Sequence, residues 1–278
     1  MDYTITIAQK DAIKKFINSQ TVQAVENFDF STKNISYSGL IIGKKINEIK
    51  GDEEITRACL LTKLCNEYGY ELSKIEIEHV YEAGRPHTNT SIIDLIVRDI
   101  NGDAFLFIEL KSPQAYADED REQIIERQLF KVAAMEQAER RKVKYLMLYT
   151  INVAGSDIND ECIIIDYEKY PTFKDWETVK EYSNAIPVKY GKAQKIPYKK
   201  GSAHDLKTNF THQLLNSLQT ELHNVLWGGG GTDDNDVFSS LTNLILAKIQ
   251  DEDEKVNGDT YDFQSLAFVD DTDNYESF

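Results

Sequence analysis

The sequence predicts an α/β fold, because segments with helical spacing and segments with strand patterns alternate along its 278 residues. Three observations carry this prediction. An acidic first turn opens a helical pattern at residues 52–64, a β-hairpin signal is centred on Asn101-Gly102, and residues 119–139 carry the apolar stripe of a long helix. The buried-strand pattern of residues 143–150 follows that helix, so this strand is expected to lie parallel to a neighbour.

The helix at residues 52–64 has the clearest local signals. Gly51-Asp52 supplies its cap, and Glu53 and Glu54 lie in the first turn, where the helix dipole favours negative charge. Gly69 suits the position that follows its end. The other predicted elements are helices at residues 9–23, 170–182, 205–227 and 234–250, strands at residues 72–81 and 162–167, a strand with turns within residues 34–50, and a loop at residues 84–90.

Four parts are expected along the chain. They are a lead-in of helix and strand at residues 1–50, a central α/β domain at residues 51–200, a helical extension at residues 201–250, and an acidic, partly disordered tail at residues 251–278. Four glycines, Gly228–Gly231, join the helices of the extension. They form either a flexible connection or a phosphate-cradling loop, although the Gly-x-x-x-x-Gly-Lys-Ser/Thr spacing of such loops is absent from the sequence.

The composition predicts a globular, cytoplasmic protein. No run of about 18 apolar residues occurs, so no membrane span is expected. The N-terminus lacks the pattern of a secretion signal, and the three cysteines have the spacing of neither a disulfide scaffold nor a metal site.

The net charge of −16 is concentrated at one end of the chain. Thirteen acidic residues and two lysines occur from Gly231 onward, whereas basic residues cluster at residues 140–144 and 189–200. These clusters are either phosphate contacts or solvated loops. The total charge therefore does not exclude a nucleic-acid partner.

Two acidic residues and a lysine flank the hairpin signal, with Asp94 before it and Glu109 and Lys111 after it. Asn-Gly most favours a two-residue type I′ turn, and with that turn Asp94 lies opposite Glu109 with the Cβ atoms roughly 5 Å apart. Lys111 follows Glu109 by two residues and shares its face. A four-residue loop with the same centre keeps this register, whereas a three- or five-residue loop moves one strand's side chains to the other face.

The facing carboxylates of Asp94 and Glu109 suggest a metal site, because like charges opposite each other destabilise a sheet. A divalent cation held by both is the simplest compensation, and the ammonium of Lys111 beside it would orient or deprotonate a water on that cation. The alternative is a hairpin with ordinary solvent-facing charges.

Asp94 and the Glu109-x-Lys111 motif, after a helix that carries acidic residues, resemble the core of PD-(D/E)XK nucleases. More narrowly, residues 53–150 resemble the N-terminal nuclease domain of type I restriction enzyme R subunits. The resemblance implies a restriction-endonuclease-like core with a mixed central sheet, and hydrolysis of double-stranded DNA by a Mg²⁺-activated water, with Mn²⁺ as a substitute. It implies that Asp94 and Glu109 bind the metal and that Lys111 positions the nucleophile or stabilises developing charge.

Three further motif positions extend the resemblance. Glu53 begins a Glu-x-x-x-Arg helix motif, with Glu54 as the alternative, and would bind a second metal ion or its water shell. Glu78 matches a strand glutamate. Gln128 matches a Gln-x-x-x-Tyr helix motif, with Val132 in place of tyrosine, and would orient Lys111 or a phosphate oxygen.

Residues 221–251 resemble the helical segment ahead of the catalytic domain in restriction-modification adenine methyltransferases. No Asp/Asn-Pro-Pro-Tyr/Phe motif follows, so the expected partner is a methyltransferase or specificity subunit, or a fused domain. Two rival functions stay open. The chain is either a nuclease fold that binds DNA or assembles a complex without turnover, or an interaction protein whose terminal helices dock such a subunit.

Overall fold

The computed structural model describes residues 5–83, 89–139, 141–202, 204–206, 216, 218–220, 222 and 234–264. The chain divides between Lys195 and Ile196 into two compact units. No helix in the described ranges is long and apolar enough to cross a membrane.

The described helices and strands of the first unit follow one another closely. The helices are α1 (Ile7–Asn18), α2 (Asp52–Asn66), α3 (Pro113–Asp118), α4 (Arg121–Ile124), α5 (Lys131–Ala138) and α6 (Phe173–Glu177). The strands are β1 (Val25–Asp29), β2 (Asn34–Tyr37), β3 (Ile41–Ile42), β4 (Ile75–Ala83), β5 (Asn89–Arg98), β6 (Ala104–Leu110), β7 (Val143–Ala154) and β8 (Asp157–Asp166). A short 3₁₀ turn, Leu72–Lys74, precedes β4, and a π-helical stretch, Ile125–Phe130, joins α4 to α5.

A mixed six-stranded sheet in the order β3-β4-β5-β6-β7-β8 forms the centre of this unit. The pairs β3–β4 and β6–β7 are parallel and the other pairs are antiparallel. Helices α1 and α2 pack into the apolar core of one face, and the helical stretch from α4 to α5 packs into a separate core on the other. The prediction of a mixed sheet flanked by helices, with β7 parallel to a neighbour, is confirmed.

The hairpin of β5 and β6 has the predicted register. Leu95 pairs with Ile108 and Ile96 with Phe107, so the next step along the strands sets Asp94 opposite Glu109. These strand residues are buried, so a slip by one residue would move apolar side chains out of the cores.

The predicted type I′ turn of this hairpin is wrong. The N–H of Gly102 donates to the carbonyl of Asp99 at 3.2 Å, and the N–H of Asp99 donates to the carbonyl of Asp103 at 2.9 Å, which is a three-residue loop. Only Gly102 in it has a positive φ, of 86°, and this matches a type I turn with a glycine bulge. A register shift between Val97 and Arg98 compensates for the odd loop length.

The helix predicted at residues 119–139 is confirmed as one helical stretch over residues 121–138, and a separate short helix, α3, precedes it. Ser112 caps α3, whose first residue is Pro113, and α3 ends before Asp120. Asp120 caps the next stretch by accepting from the N–H groups of Glu122 and Gln123. That stretch continues to Ala138 through the π-helical residues, which nothing in the sequence marks.

A buried polar network ties α5 to the sheet. Glu136 on α5 has no exposed surface, and one of its oxygens accepts from Arg98 Nη1 at 2.6 Å. Its other oxygen accepts from the hydroxyl of Tyr81 on β4. Arg98 also donates from Nε to Glu76 at 2.8 Å, so both carboxylates are paired.

Replacing Tyr81 with phenylalanine is expected to lower the free energy of unfolding by about 1.5–3 kcal/mol, because it removes a buried donor to a charged acceptor. The measurement is urea denaturation. Tyr167→Phe is the matched control: both tyrosines are 2% exposed, but the hydroxyl of Tyr167 lies 3.4 Å from its acceptor on Gln137. Equal losses in both variants would contradict this account of the network.

Other predicted elements of the first unit also differ in extent. Helix α1 ends at Asn18 rather than residue 23, and the weak helix predicted at residues 170–182 is limited to Phe173–Glu177. Part of the loop predicted at residues 84–90 lies outside the described residues, and Asn89 and Thr90 belong to β5.

The second unit contains helix α7 (Asp234–Glu254), which covers the helix predicted at residues 234–250 and continues four residues further. Asp251 accepts from the N–H groups of Asp262 and Phe263, and Tyr261 is buried, so the acidic tail is ordered at least to residue 264. The disorder predicted further along, the glycine tract and most of the helix predicted at residues 205–227 lie outside the described residues.

Candidate active site

Three carboxylates form a row across three neighbouring strands. Ile77 pairs with Leu95 and His79 with Ile93, so Glu78 of β4 faces Asp94 of β5. On its other side Asp94 faces Glu109 of β6, and the Leu110 N–H donates to Asp94 Oδ2 at 2.8 Å. The sheet thus brings together the two predicted metal ligands and the glutamate of the strand motif.

Glu78 has a backbone conformation that is unusual for its residue type. Its φ is +52°, in the left-handed region, although it lies within β4. Such strain persists where surrounding contacts enforce it, and it is concentrated at functional sites. The contact that holds the Glu78 side chain comes from helix α2.

Arg57 of α2 binds three carboxylates at the site. Its Nη2 lies 2.5 Å from Glu78 and 2.9 Å from Asp94 Oδ1, and its Nη1 lies 2.9 Å from Glu54. The side chain is only 3% exposed. Although burial alone favours loss of its proton, Asp94 and the other carboxylates raise the pKa of Arg57 above its ordinary value.

The two glutamates in the first turn of α2 have different neighbours. Glu54 pairs with Arg57 and accepts from the hydroxyl of Tyr37 on β2. Burial and the nearby Asp94 raise the pKa of Glu53, and Lys111 and Arg57 oppose that shift. Asp94 therefore acts on both glutamates, but Glu53 also interacts with Lys111, whereas Glu54 is paired with Arg57.

Lys111 forms an ion pair with Glu109, with its Nζ 2.6 Å from Glu109 Oε1. Burial and the charge of Asp94 raise the pKa of Glu109 well above its usual value, although Lys111 opposes the shift. The pKa of Lys111 is raised as well, because Glu109, Asp94 and Glu53 outweigh its burial. Both groups are 7% exposed, so solvent screens this pair only weakly.

The site has more negative than positive groups. Its five carboxylates are Glu53, Glu54, Glu78, Asp94 and Glu109, and its two cations are Arg57 and Lys111. Oxygen donors in a site short of positive charge suit a hard divalent cation such as Mg²⁺. Within the described residues, Oε2 of Glu109 accepts no hydrogen bond, which leaves it available as a ligand.

The predicted three-carboxylate metal set is not gathered at one point. Across the described ranges, one group of three His, Cys, Asp or Glu side chains has ligand atoms that all lie within 4.8 Å of one another. It consists of His79, Glu136 and Glu139. Glu53, Asp94 and Glu109 are not in such a group. The His79 group lies against Arg98 and Arg141, whose charges balance its carboxylates, and it belongs to the polar network of α5.

Gln128 lies on the π-helical stretch, a feature that is frequent at functional sites. Its Oε1 is buried and has no hydrogen-bond partner among the described residues. A buried amide oxygen without a partner costs about 1–3 kcal/mol, so Gln128 Oε1 is suited to accept a hydrogen bond from a bound group. No hydrogen bond joins Gln128 to Lys111 in the described part of the chain, so its predicted orienting role stays a prediction.

We did not predict from the sequence that Arg57 binds the carboxylates of the site. Arg57 is the last residue of the Glu-x-x-x-Arg motif, and its spacing of three from Glu54 on a helix was the available signal. Tyr37 gave no such signal, because it is seventeen residues from Glu54 in the chain.

Replacing Glu109 with glutamine is expected to raise the free energy of unfolding of the metal-free protein at pH 8, because it removes a buried carboxyl whose pKa is raised. Because the pKa of Glu109 is higher in the folded than in the unfolded protein, its ionisation costs no stability at pH values below the unfolded-state pKa. At pH values above the folded-state pKa, the full cost is subtracted from the free energy of unfolding. Glutamine avoids this cost and still accepts from Lys111. Urea denaturation in EDTA measures the change, and Glu126→Gln, on the exposed side of the same unit, is the control. A loss of stability would mean that the pair with Lys111 dominates.

Residues 52–136 match the family model of the type I restriction enzyme R protein N terminus. The matched range runs from the first residue of α2 into α5 and covers about a third of the chain, including all five predicted site residues. No curated protein sequence matches this chain. The family match indicates a role in restriction-modification.

Proposed function

We propose that this chain contains a Mg²⁺-dependent deoxyribonuclease domain of the PD-(D/E)XK type, which cleaves double-stranded DNA as part of a restriction-modification system. The observation that carries the proposal is the buried Lys111–Glu109 pair next to Asp94 on neighbouring strands. The family match over residues 52–136 supports the restriction-modification context.

In the proposed reaction, Asp94 and Glu109 would hold the cation through carboxylate oxygens. A bound Mg²⁺ would polarise the scissile phosphate and lower the pKa of the attacking water. Lys111 orients that water and stabilises the charge that develops on the phosphate. Glu53 holds a second ion or its hydration shell, and Gln128 offers its unpaired oxygen to a group at the site.

A DNA-binding or assembly module without turnover is the second candidate. One specific observation favours it: both oxygens of Asp94 already have partners, Arg57 at 2.9 Å and the Leu110 N–H at 2.8 Å. Each carboxylate oxygen accepts more than one bond, so these contacts reduce the affinity of Asp94 for a cation without abolishing it.

The test compares cleavage of unmethylated plasmid DNA by the full chain in Mg²⁺ and in EDTA, with wild type and Lys111→Met. Cutting that requires Mg²⁺ and is lost in the variant is expected. Equal cutting by both proteins, or cutting in EDTA, would contradict the nuclease proposal. Binding of duplex DNA without any cutting would support the second candidate. The same assay with a methyltransferase or specificity subunit added tests the proposed partner.

A further inference from the structure

A short exposed segment, Gly43-Lys44-Lys45, leaves the sheet next to the row of carboxylates. Strand β3 runs parallel to β4, with Ile42 beside Ile77, and the Gly43 N–H donates to the Ile77 carbonyl at 2.9 Å. The next step of this register sets Gly43 beside Glu78. The row that begins with Glu109 and Asp94 therefore ends at the edge of the sheet, where this lysine segment begins.

The position of the segment is fixed by a close backbone contact. A Cβ atom on Gly43 would lie 2.3 Å from the carbonyl oxygen of Glu78, so only glycine fits there. Strands in a sheet are about 4.8 Å apart, which puts Gly43 on the order of 10 Å from Asp94. Lys44 and Lys45 are thus attached at a defined distance from the candidate active site.

The two lysines are exposed and carry uncompensated charge. Within the described residues, neither Lys44 nor Lys45 forms a hydrogen bond or an ion pair. In a chain of net charge −16, an unpaired cluster next to five carboxylates favours an anionic partner that must approach that site.

We propose that Lys44 and Lys45 bind the phosphate backbone of double-stranded DNA, at phosphates that flank the one held between Asp94 and Lys111. This inference rests on the proposed function for the position of the scissile phosphate. The lysines offset the repulsion between the acidic site and the DNA, and they bind without regard to base sequence, since phosphate contacts carry no direct sequence information.

The test measures binding of a fluorescent DNA duplex to the full chain in EDTA by anisotropy, at several salt concentrations. The variant is Lys44→Ala/Lys45→Ala. The matched control is Lys15→Ala/Lys174→Ala, which removes the same charge from exposed positions on α1 and α6, outside the two basic clusters of the sequence. We expect the Lys44/Lys45 variant to bind about tenfold more weakly, with a smaller slope of log Kd against log salt by about 2, and the control to change less than twofold.

Equal weakening in the two variants, an unchanged slope, or no binding by the wild type would overturn the inference. Inorganic phosphate as a competitor distinguishes binding of a DNA duplex from binding of free phosphate. If millimolar phosphate displaces the duplex from the wild type as well as from the variant, the lysines do not select DNA. Because binding is read in EDTA, failure here with intact Mg²⁺-dependent cleavage would leave the proposed nuclease standing. Conversely, the cleavage result for Lys111→Met tests the nuclease proposal alone, because the binding assay in EDTA does not depend on cleavage.

Discussion

Replacing Lys111 with methionine is expected to lower the rate of Mg²⁺-dependent DNA cleavage at saturating DNA by about a hundredfold to ten-thousandfold, the range for removal of a positioned acid-base or charge-stabilising group. Methionine keeps the length and apolar stem of the side chain and removes the ammonium. In the folded protein that ammonium lies 2.6 Å from Glu109 and also opposes the rise in the pKa of Glu109. The measurement is single-turnover cleavage of plasmid DNA.

The control for Lys111→Met is Lys174→Met, an exposed lysine on α6, which is expected to leave the rate unchanged. Loss of the Lys111 ammonium also changes cation binding, because it removes both a charge that favours the ionised form of Glu109 and a charge that repels the cation. A Mg²⁺ titration of the cleavage rate separates the two effects, since a deficit that saturating Mg²⁺ fails to restore belongs to the chemical step. A variant that cuts within threefold of wild type would exclude Lys111 from catalysis.

The hairpin shows why strand register was predictable although its turn was not. The Asn-Gly pair predicts a two-residue turn, yet the loop has three residues and a bulge at Val97 and Arg98 compensates. Both arrangements set Asp94 opposite Glu109. The alternation of buried apolar side chains on both strands is a stronger constraint than the turn, because a slip would expose many of them at once.

The groups that surround the paired carboxylates depend on tertiary contacts that a linear pattern does not contain. Arg57 reaches Glu78 and Asp94 across 21 and 37 residues of sequence. The left-handed conformation of Glu78 is enforced by its neighbours, whereas its residue type would favour ordinary strand geometry. The π-helical stretch that carries Gln128 has no sequence signature of its own, so a regular helix was the natural prediction there.

Arg57 also explains how this acidic site folds before any cation is bound. Without a metal, Glu78 and Asp94 face each other with side chains only 13% exposed, which is unfavourable for two ionised carboxylates. The guanidinium supplies the compensating charge: its Nη2 lies 2.5 Å from Glu78 and 2.9 Å from Asp94, while its Nη1 binds Glu54. Arg57 therefore stabilises the arrangement of Glu78 and Asp94 without a cation, while Glu109 and Lys111 pair with each other.

Replacing Arg57 with methionine is accordingly expected to lower the free energy of unfolding by about 3–5 kcal/mol, the cost of leaving buried charges without their partner. Urea denaturation in EDTA measures it, with Arg141→Met as the control. Arg141 is 43% exposed and lies 3.5 Å from Glu139, so its loss should cost less than about 1 kcal/mol.

A second substitution tests whether the loss in Arg57→Met comes from charge or from packing. Adding Glu78→Gln to Arg57→Met removes one of the stranded carboxylates and should recover at least about 1 kcal/mol, whereas Glu78→Gln alone, with Arg57 intact, should destabilise the protein. Glu78→Gln is thus expected to stabilise the protein that lacks Arg57 and to destabilise the protein that has it. A packing defect alone does not produce this change of sign. If Arg57→Met costs under 1 kcal/mol, or if Glu78→Gln makes it worse, the row of carboxylates does not depend on Arg57, and Asp94 is free to bind a cation without competition.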